Sequence, residues 1–533
     1  MAFASTGFLI FLLVGVIVYY LIPKKFQWIW LLILSYYFYM CSGVKTLGLI
    51  ITTTITTFLG GIWLEDITLK RDEWFKEHKA DMSSEEKKAY KAKTKKYKRL
   101  ILALILVINF GILAVIKYYG FTVDNINALL SGVFHMNVGL KRFDFLLPLG
   151  ISFYTFQSMG YIIDMYQGKY KADRNLFKFA LFVSYFPQIL QGPIGRYNRL
   201  AHQFFEKHEF DLVRIQHGLQ LMAWGFFKKM VLADRAALIV EEVFRYVHLY
   251  HGFTVLFGVL AYTLQLYADF SGGMDIVMGA SEMFGVKLDQ NFKQPFFSNS
   301  ISDFWHRWHI TLGTWMKDYI FYPFSLSKAM NKFGKFTKKV FGNTVGRCLP
   351  ICLANLLIFF IVGVWHGAQW KYIAYGFYNG FLIAASNLFE PLYPKIFKAL
   401  HINNEGRAWK LVRILRTFVL VVISFYFDVC ESLYAALYMM RSTVTGFTFK
   451  TFTDGSLLKL GVDYYGMCII FVGCVIWFIV SLLKEKGIDI REALDRKPWI
   501  VRWAVYGALI VAIPVFGKVS NTIEKHRQLL PHR

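Results

Sequence analysis

Residues 351–370 read ICLANLLIFFIVGVWHGAQW, and from Ile351 to Trp365 the stretch is almost wholly apolar apart from Asn355. A run of this length and composition is what a bilayer-crossing helix requires. It ends on His366, and an imidazole at membrane depth is costly enough that it is usually kept for chemistry. Gly363 and Gly367 bracket the histidine, so backbone or substrate can come close to the ring.

Similar windows recur outward from this one, at about 7–22, 26–42, 45–64, 100–119, 252–268, 370–390, 410–428, 465–483 and 500–517. Less regular apolar segments lie between 146 and 233. The 533 residues are 56% hydrophobic, with 14 Trp, 31 Tyr and 52 Phe, which excludes an ordinary soluble domain. The fold class this predicts is an all-α, polytopic integral membrane protein with about ten to twelve membrane helices. The chain reads as one membrane domain over 1–533, with a core at 140–395 and C-terminal membrane helices over 405–533.

The first apolar run, MAFASTGFLIFLLVGVIVYYLIPKK, carries its lysines after the apolar residues, so it reads as a retained first span and not a cleaved leader. The net charge of +25 would suggest nucleic acid in a soluble protein. Here much of it lies in connections between apolar segments, so membrane topology explains it and no nucleic acid is expected. Residues 65–99 hold twelve Lys/Arg and eight Asp/Glu, and the positive-inside rule puts this loop in the cytoplasm. Three spans precede it, which puts the N-terminus outside. SSEEKKAYKAKTKKYKR reads as a charged helix with Ser83 or Ser84 near its N-cap. The 328–347 connection, with six Lys/Arg and no acid, reads as cytoplasmic too. The six cysteines lack metal or redox spacing and imply no disulfide framework.

LLPLGISFYTFQSMGYIIDMY (146–166) and ALFVSYFPQILQGPIGRY (180–197) are apolar but interrupted by Pro148, Gly150, Pro187, Gly192, Pro193 and Gly195. Irregular backbone at membrane depth persists only inside protein or along a wet cavity, so these segments read as re-entrant or broken helices around a central site. Near residue 300, NSISDFWHRWHITLGTWMKDYIFYPF has Ser300 or Ser302 as N-cap and a helical spacing of Trp305, Trp308, Leu312, Trp315 and Tyr319. On one helix His306 and His309 would be neighbours, and Asp303 would pair with Arg307. Taken alone this is an interfacial amphipathic helix. The second histidine motif, VWHGA, 57 residues on, invites a site shared by the two.

The stretches LPLGISFYTFQSMGYIID, SYFPQILQGPIGRY, LQLYADFSGGMDIVMGASEMFGVKLDQNFKQPF, SDFWHRWHITLGTWMKDYIFYP and VGVWHGAQWKYIAYGFYNG, in that order, resemble the membrane-bound O-acyltransferase family in its bacterial branch of alginate O-acetylases and teichoic acid D-alanyl transfer proteins. The resemblance covers most of the chain. It implies a helical membrane body around a thin central region, with His366 as the catalytic residue and His309 as a second site histidine. Trp305, Arg307, Trp308, Trp365, Asp269 and Asp275 are the expected substrate-binding residues. His306 and the Gly273-Met274 pair depart from the family's usual residues. No bound cofactor or metal is expected. The implied acyl donor is acetyl-coenzyme A or an acyl carrier protein thioester. The implied acceptor is a polysaccharide or cell-wall polymer outside a bacterial cell membrane, reached directly or through an SGNH-type partner transferase.

The chemistry of the residues agrees with that reading. Acyl transfer to a hydroxyl requires removal of the hydroxyl proton, and an unperturbed imidazole, with pKa near ~6.5, is free to take it at neutral pH. His366 is the expected general base, and His309 the group that orients substrate or stabilises the oxyanion. No Gly-x-Ser-x-Gly elbow is present, so direct transfer is expected over a covalent serine route. Three other readings compete. D-alanyl transfer from a carrier protein to teichoic acid is one. A proton-coupled transporter or flippase, in which the histidines and acids relay protons, is another. The third is a metalloenzyme with His306, His309 and His366 as ligands.

Overall fold

The computed structural model describes residues 5–78, 82–136, 139–143, 145, 148, 150–189 and 191–518. Among them the secondary structure is helical, with one isolated antiparallel bridge between Phe292 and Trp308. Each of the ten apolar windows falls on a helix. Among the described residues six helices are long and apolar enough to cross a membrane: Val44–Glu77, Ser84–Gly132, Phe253–Met283, Lys328–His366, Tyr464–Glu485 and Trp499–Phe516. The expected count of ten to twelve is not reached: two windows form short helices, Thr6–Leu21 with 16 residues and Gln27–Met40 with 14, and two form helices of sufficient length but less apolar or more charged composition, Trp370–Phe389 and Arg407–Val429. In Trp499–Phe516 none of the apolar window is buried by the protein, as expected of a helix whose solvent is lipid.

Two compact units are present, Met1–Gly218 with Ala280–Asp289, and Leu219–Gly279 with Gln290–Arg533. In the first, Phe8, Phe11, Phe38 and Phe186 interlock edge to face and tilted, with Phe11 and Phe186 centroids 5.1 Å apart. Gly61 lets the Leu47–Glu77 helix meet Ile151–Gln167 closely, since a Cβ there would lie 2.9 Å from the Tyr161 hydroxyl. Ser83 caps Ser84–Gly132 in a capping box with Glu86.

The two interrupted segments behave differently. Ile151–Gln167 is one uninterrupted helix, because Pro148 and Gly150 precede it and Gly150, at φ 68°, makes the entry turn. Residues 146, 147 and 149 lie outside the described residues. The second segment is broken: Leu176–Ser184 ends at Tyr185, Phe186–Ile189 forms a single turn, and residues 191–196 are not helical.

In the second unit, Lys328–His366 doubles back at Gly342, which has φ 75°. A straight helix would separate positions 334 and 350 by about 24 Å. Instead a Cβ on Gly334 would lie 3.4 Å from the Pro350 ring, and Thr337 Oγ1 donates to the Gly346 carbonyl at 2.7 Å. The basic 328–347 connection is therefore a helical hairpin. The arm ending at His366 packs on Trp370–Phe389 through glycines: a Cβ on Gly363 would meet the Tyr372 carbonyl at 2.3 Å, and one on Gly376 the Phe359 carbonyl at 2.2 Å. This backbone-to-backbone approach fixes where His366 sits. Trp370–Phe389 is tied in turn to Arg407–Val429, where Lys371 Nζ donates to the Asp428 and Cys430 carbonyls at 2.9 and 2.7 Å.

Candidate active site

The helix read across 301–319 is interrupted at the residue that matters most. Ile301–Arg307 and Ile310–Met316 are separate helices, and His309 between them is left-handed, with φ 49° and ψ 52°. A side-chain-bearing residue reaches that region at a cost of about 1–3 kcal/mol unless its surroundings hold it there. The holding interactions are long-range. Lys293 N–H donates to the Arg307 carbonyl at 2.9 Å and Ile310 N–H to the Asn291 carbonyl at 3.0 Å, flanking the Phe292–Trp308 bridge. The break overturns the expected His306–His309 adjacency. His306 is exposed and bonded through Nδ1 to the Ser302 carbonyl one turn back, whereas His309 is 4% exposed.

Asn291 determines which nitrogen of His309 carries the proton. Its Oδ1 receives the Thr311 backbone N–H at 3.0 Å, and an N–H can only donate, so the atom facing Thr311 is the oxygen. The same oxygen lies 3.0 Å from Thr311 Oγ1 and 3.3 Å from His309 Nδ1, which therefore both donate to it. His309 is thus the Nδ1–H tautomer, and its Nε2 is a lone pair. That nitrogen is buried and has no hydrogen-bond partner among the described residues. Sequence reading missed Asn291, a polar residue in the irregular stretch LDQNFKQPF with no local signal of its role.

His366 is half-buried at the C-terminus of its helix. Its ring is 5.0 Å from Trp365, 5.3 Å from Tyr375 and 6.1 Å from Tyr372, centroid to centroid. His309 sits 5.8 Å from Trp365 and 4.9 Å from Phe270. The two histidine motifs thus meet around Trp365. Trp305 joins the cluster through Tyr375 at 6.4 Å and Phe359 at 5.1 Å, and its indole N–H is buried without a partner among the described residues. Among the described residues the locality therefore offers an unsatisfied acceptor, His309 Nε2, and an unsatisfied donor, Trp305 Nε1–H. A pair of unmet polar groups costs free energy in the resting protein that a substrate carrying the complementary groups would recover.

The other expected site residues are engaged elsewhere. Arg307 Nε donates to Asp303 at 2.9 Å, and its Nη1 donates to both Glu485 oxygens at 3.0 and 2.8 Å. Trp308 is core, tilted or edge-on against Tyr267 and Phe292 and stacked on Phe304. Asp275 pairs with Lys228 at 2.8 Å and Asp269 with Lys229 at 2.7 Å, both lysines lying on the π-helical turn Phe227–Ala233. Lys229 also holds Asp234 at 2.8 Å, and Lys228 donates to Ser271 at 2.9 Å. Neither lysine was singled out from the sequence, because both sit in an apolar stretch and the acids expected at the site, Asp269 and Asp275, lie 40 and 47 residues from them.

Burial, with the nearby His366 imidazole second, pulls His309 from its ordinary 6.5 down to about 3. It is neutral throughout the physiological range. In the unfolded chain the imidazole binds a proton below 6.5 that the folded site refuses down to about 3. The contribution to stability is therefore complete above 6.5 and declines as pH falls toward 3, by about 1.4 kcal/mol per unit. The melting temperature of the detergent-purified protein is expected to fall between pH 6.5 and about 5. In His309→Gln that part of the slope disappears. Parallel melting curves for the two proteins over this range would contradict the assignment.

The pattern 171–338 matches the model of the membrane-bound O-acyltransferase family. The chain is 35% identical over 442 residues to a probable alginate O-acetylase of Pseudomonas syringae pv. tomato, an alignment covering 82% of this chain and 74% of that protein. It is 28% identical to a peptidoglycan O-acetyltransferase of Helicobacter pylori, over 83% of this chain and 78% of the relative. A teichoic acid D-alanyltransferase of Bacillus subtilis is 31% identical over 52% of this chain and 67% of its own length.

Proposed function

The chain belongs to the membrane-bound O-acyltransferase family and is a multi-pass membrane acyltransferase, and from that premise we propose that it moves an acetyl group from a cytoplasmic thioester to a hydroxyl of a polysaccharide or cell-wall polymer outside the cell membrane. Acetyl is favoured over D-alanyl because the acetylase relatives align over most of the chain and the D-alanyltransferases over about half. The N-terminus lies outside in this reading. The donor is acetyl-coenzyme A, and an SGNH-type transferase takes the acetyl group onward where the polymer is not acylated directly. A carrier-protein donor belongs to the D-alanyl alternative.

What supports this mechanism is that Trp365 packs against both His366 and His309, and Tyr375 against both His366 and Trp305, with His309 Nε2 and the Trp305 indole N–H buried and without a partner among the described residues. The acceptor hydroxyl attacks the thioester carbonyl while His366 takes its proton. Negative charge develops on the carbonyl oxygen, to which the Trp305 indole N–H can donate. The carbon–sulfur bond then breaks, and the proton on His366 passes to the departing thiolate. Neutral His309, with a lone pair on Nε2, has the face of an acceptor. It therefore orients a hydroxyl or amide N–H of a substrate; the oxyanion needs a donor.

The purified protein, given radiolabelled acetyl-coenzyme A and in a separate reaction a D-alanyl-loaded carrier protein, each with polysaccharide acceptor, is expected to label the acceptor from the first donor. Label from the carrier protein alone would overturn the acetyl assignment. Label from neither, with an acceptor that a related acetylase modifies, would overturn the reading as a whole.

A further inference from the structure

The charged ends of Leu47–Glu77 and Ser84–Gly132 are clamped side by side. Trp74 and Tyr90 stack with centroids 4.0 Å apart and planes 14° from parallel, and Lys98 Nζ donates to Thr68 at 3.0 Å. Beside the clamp is a cavity of about 500 Å³ lined by Arg71, Asp72, Phe75, Lys76, Lys87 and Lys91. Its charges do not balance. Asp72 is taken by Arg71, at 2.8 and 2.9 Å. Lys76, Lys87 and Lys91 make no ion pair with a carboxylate among the described residues. The nearby Glu86 is spent on the Ser83 cap. Lys87 and Lys91 both lie over Phe75, 5.9 and 5.7 Å from its centroid, so two ammonium groups crowd one ring from the same helix. Cations converging on a shared volume repel one another, and an anion placed between them removes that cost.

We propose that this cavity is a binding site for a phosphate-bearing anion. Its volume lies within the range of about 300–1,000 Å³ of ligand sites, and lysines serve phosphate as freely rotating point charges. Both helices continue into apolar stretches long enough to cross a membrane, so the cavity projects roughly 10–20 Å beyond the apolar windows at 1.5 Å per residue, on the face of the membrane that carries the 65–99 connection. Headgroup and soluble phosphate share the recognising chemistry. The site is independent of the acyl-transfer reading and of its histidines.

The test is binding by the full-length detergent-purified protein, followed by native mass spectrometry, with phosphatidylglycerol, phosphatidylcholine and inorganic pyrophosphate as separate probes. Phosphatidylglycerol is expected to bind and phosphatidylcholine not, with affinity falling as salt is raised. Lys76→Gln/Lys87→Gln/Lys91→Gln should weaken binding on the order of a hundredfold, at roughly a factor of five per lysine. Lys88→Gln/Lys93→Gln/Lys95→Gln, at exposed lysines that do not line the cavity, should leave it unchanged. Binding of pyrophosphate with the same variant pattern and none of phosphatidylglycerol would support the site with a soluble ligand. Equal retention of the two lipids with no pyrophosphate binding, or equal losses in the two triple variants, would overturn it.

Discussion

Replacing His366 with alanine is expected to lower acyl transfer by about 10²–10⁴-fold while the protein stays folded. The size of the effect is that of a lost general base. An acceptor hydroxyl is a poor nucleophile at neutral pH, and His309, the other imidazole of the cluster, is a poor substitute base: Asn291 keeps its Nδ1 protonated, and burial makes its Nε2 a weak base. The fold should tolerate the change because His366 is only half-buried and ends its helix. The crossing that positions that helix depends on Gly363 and Gly376, not on the imidazole. Transfer should be measured beside elution profile and melting temperature, which are expected to match wild type. A variant that melts far lower would assign His366 a packing role. One that is fully active and stable would remove it from the reaction.

The second large effect is expected at Asn291, a residue 1% exposed that touches no substrate in this account. Asn291→Ala strips the acceptor from the Thr311 N–H, the Thr311 hydroxyl and His309 Nδ1–H together. Each buried donor left unmet costs about 1–3 kcal/mol, and the ring is free to take the other tautomer or flip, presenting N–H where a lone pair stood. Transfer is expected to drop by about 10²-fold, less than the ~10⁴-fold that a wrong tautomer costs where the histidine is itself the general base, because here His309 only orients substrate. Asn291→Asp offers the same acceptor and should recover most of the loss. Histidine ¹⁵N shifts give a readout that simple destabilisation would not move: the His309 Nδ1–H signature should persist in the Asp variant and vanish in the Ala variant. Equal losses in the two variants with an unchanged signature would reduce Asn291 to a structural residue.

Much of this architecture is written in local sequence. Apolar runs become helices wherever they occur, because an unpaired backbone cannot be left in lipid, and all ten windows did so. Span counting is less secure: the windows at 7–22 and 26–42 form helices of 16 and 14 residues. The pairing of His309 with the His366 motif was legible as two costly residues in one membrane body. The left-handed turn at His309 was not, since a regular 3.6-residue spacing runs straight through it. The break comes from pairing with residues 291–293, which no periodicity registers. The same holds for Arg307. Its Asp303 partner is four residues away and was foreseeable, whereas Glu485 is 178 residues away and was not. Asp269 and Asp275 stood out as acids in an apolar segment, but the lysines that engage them come from a different helix. Sequence reports which groups are expensive to bury; only the fold reports which expense is already met.

The most direct measurement is single-turnover transfer by wild type and His366→Ala across about pH 6–9. If His366 removes the hydroxyl proton, hydroxide can increasingly replace it, and the variant's deficit should shrink by about tenfold per pH unit on the alkaline side. A deficit that stays constant across that range would mean that the imidazole does not take the proton, and would contradict the account.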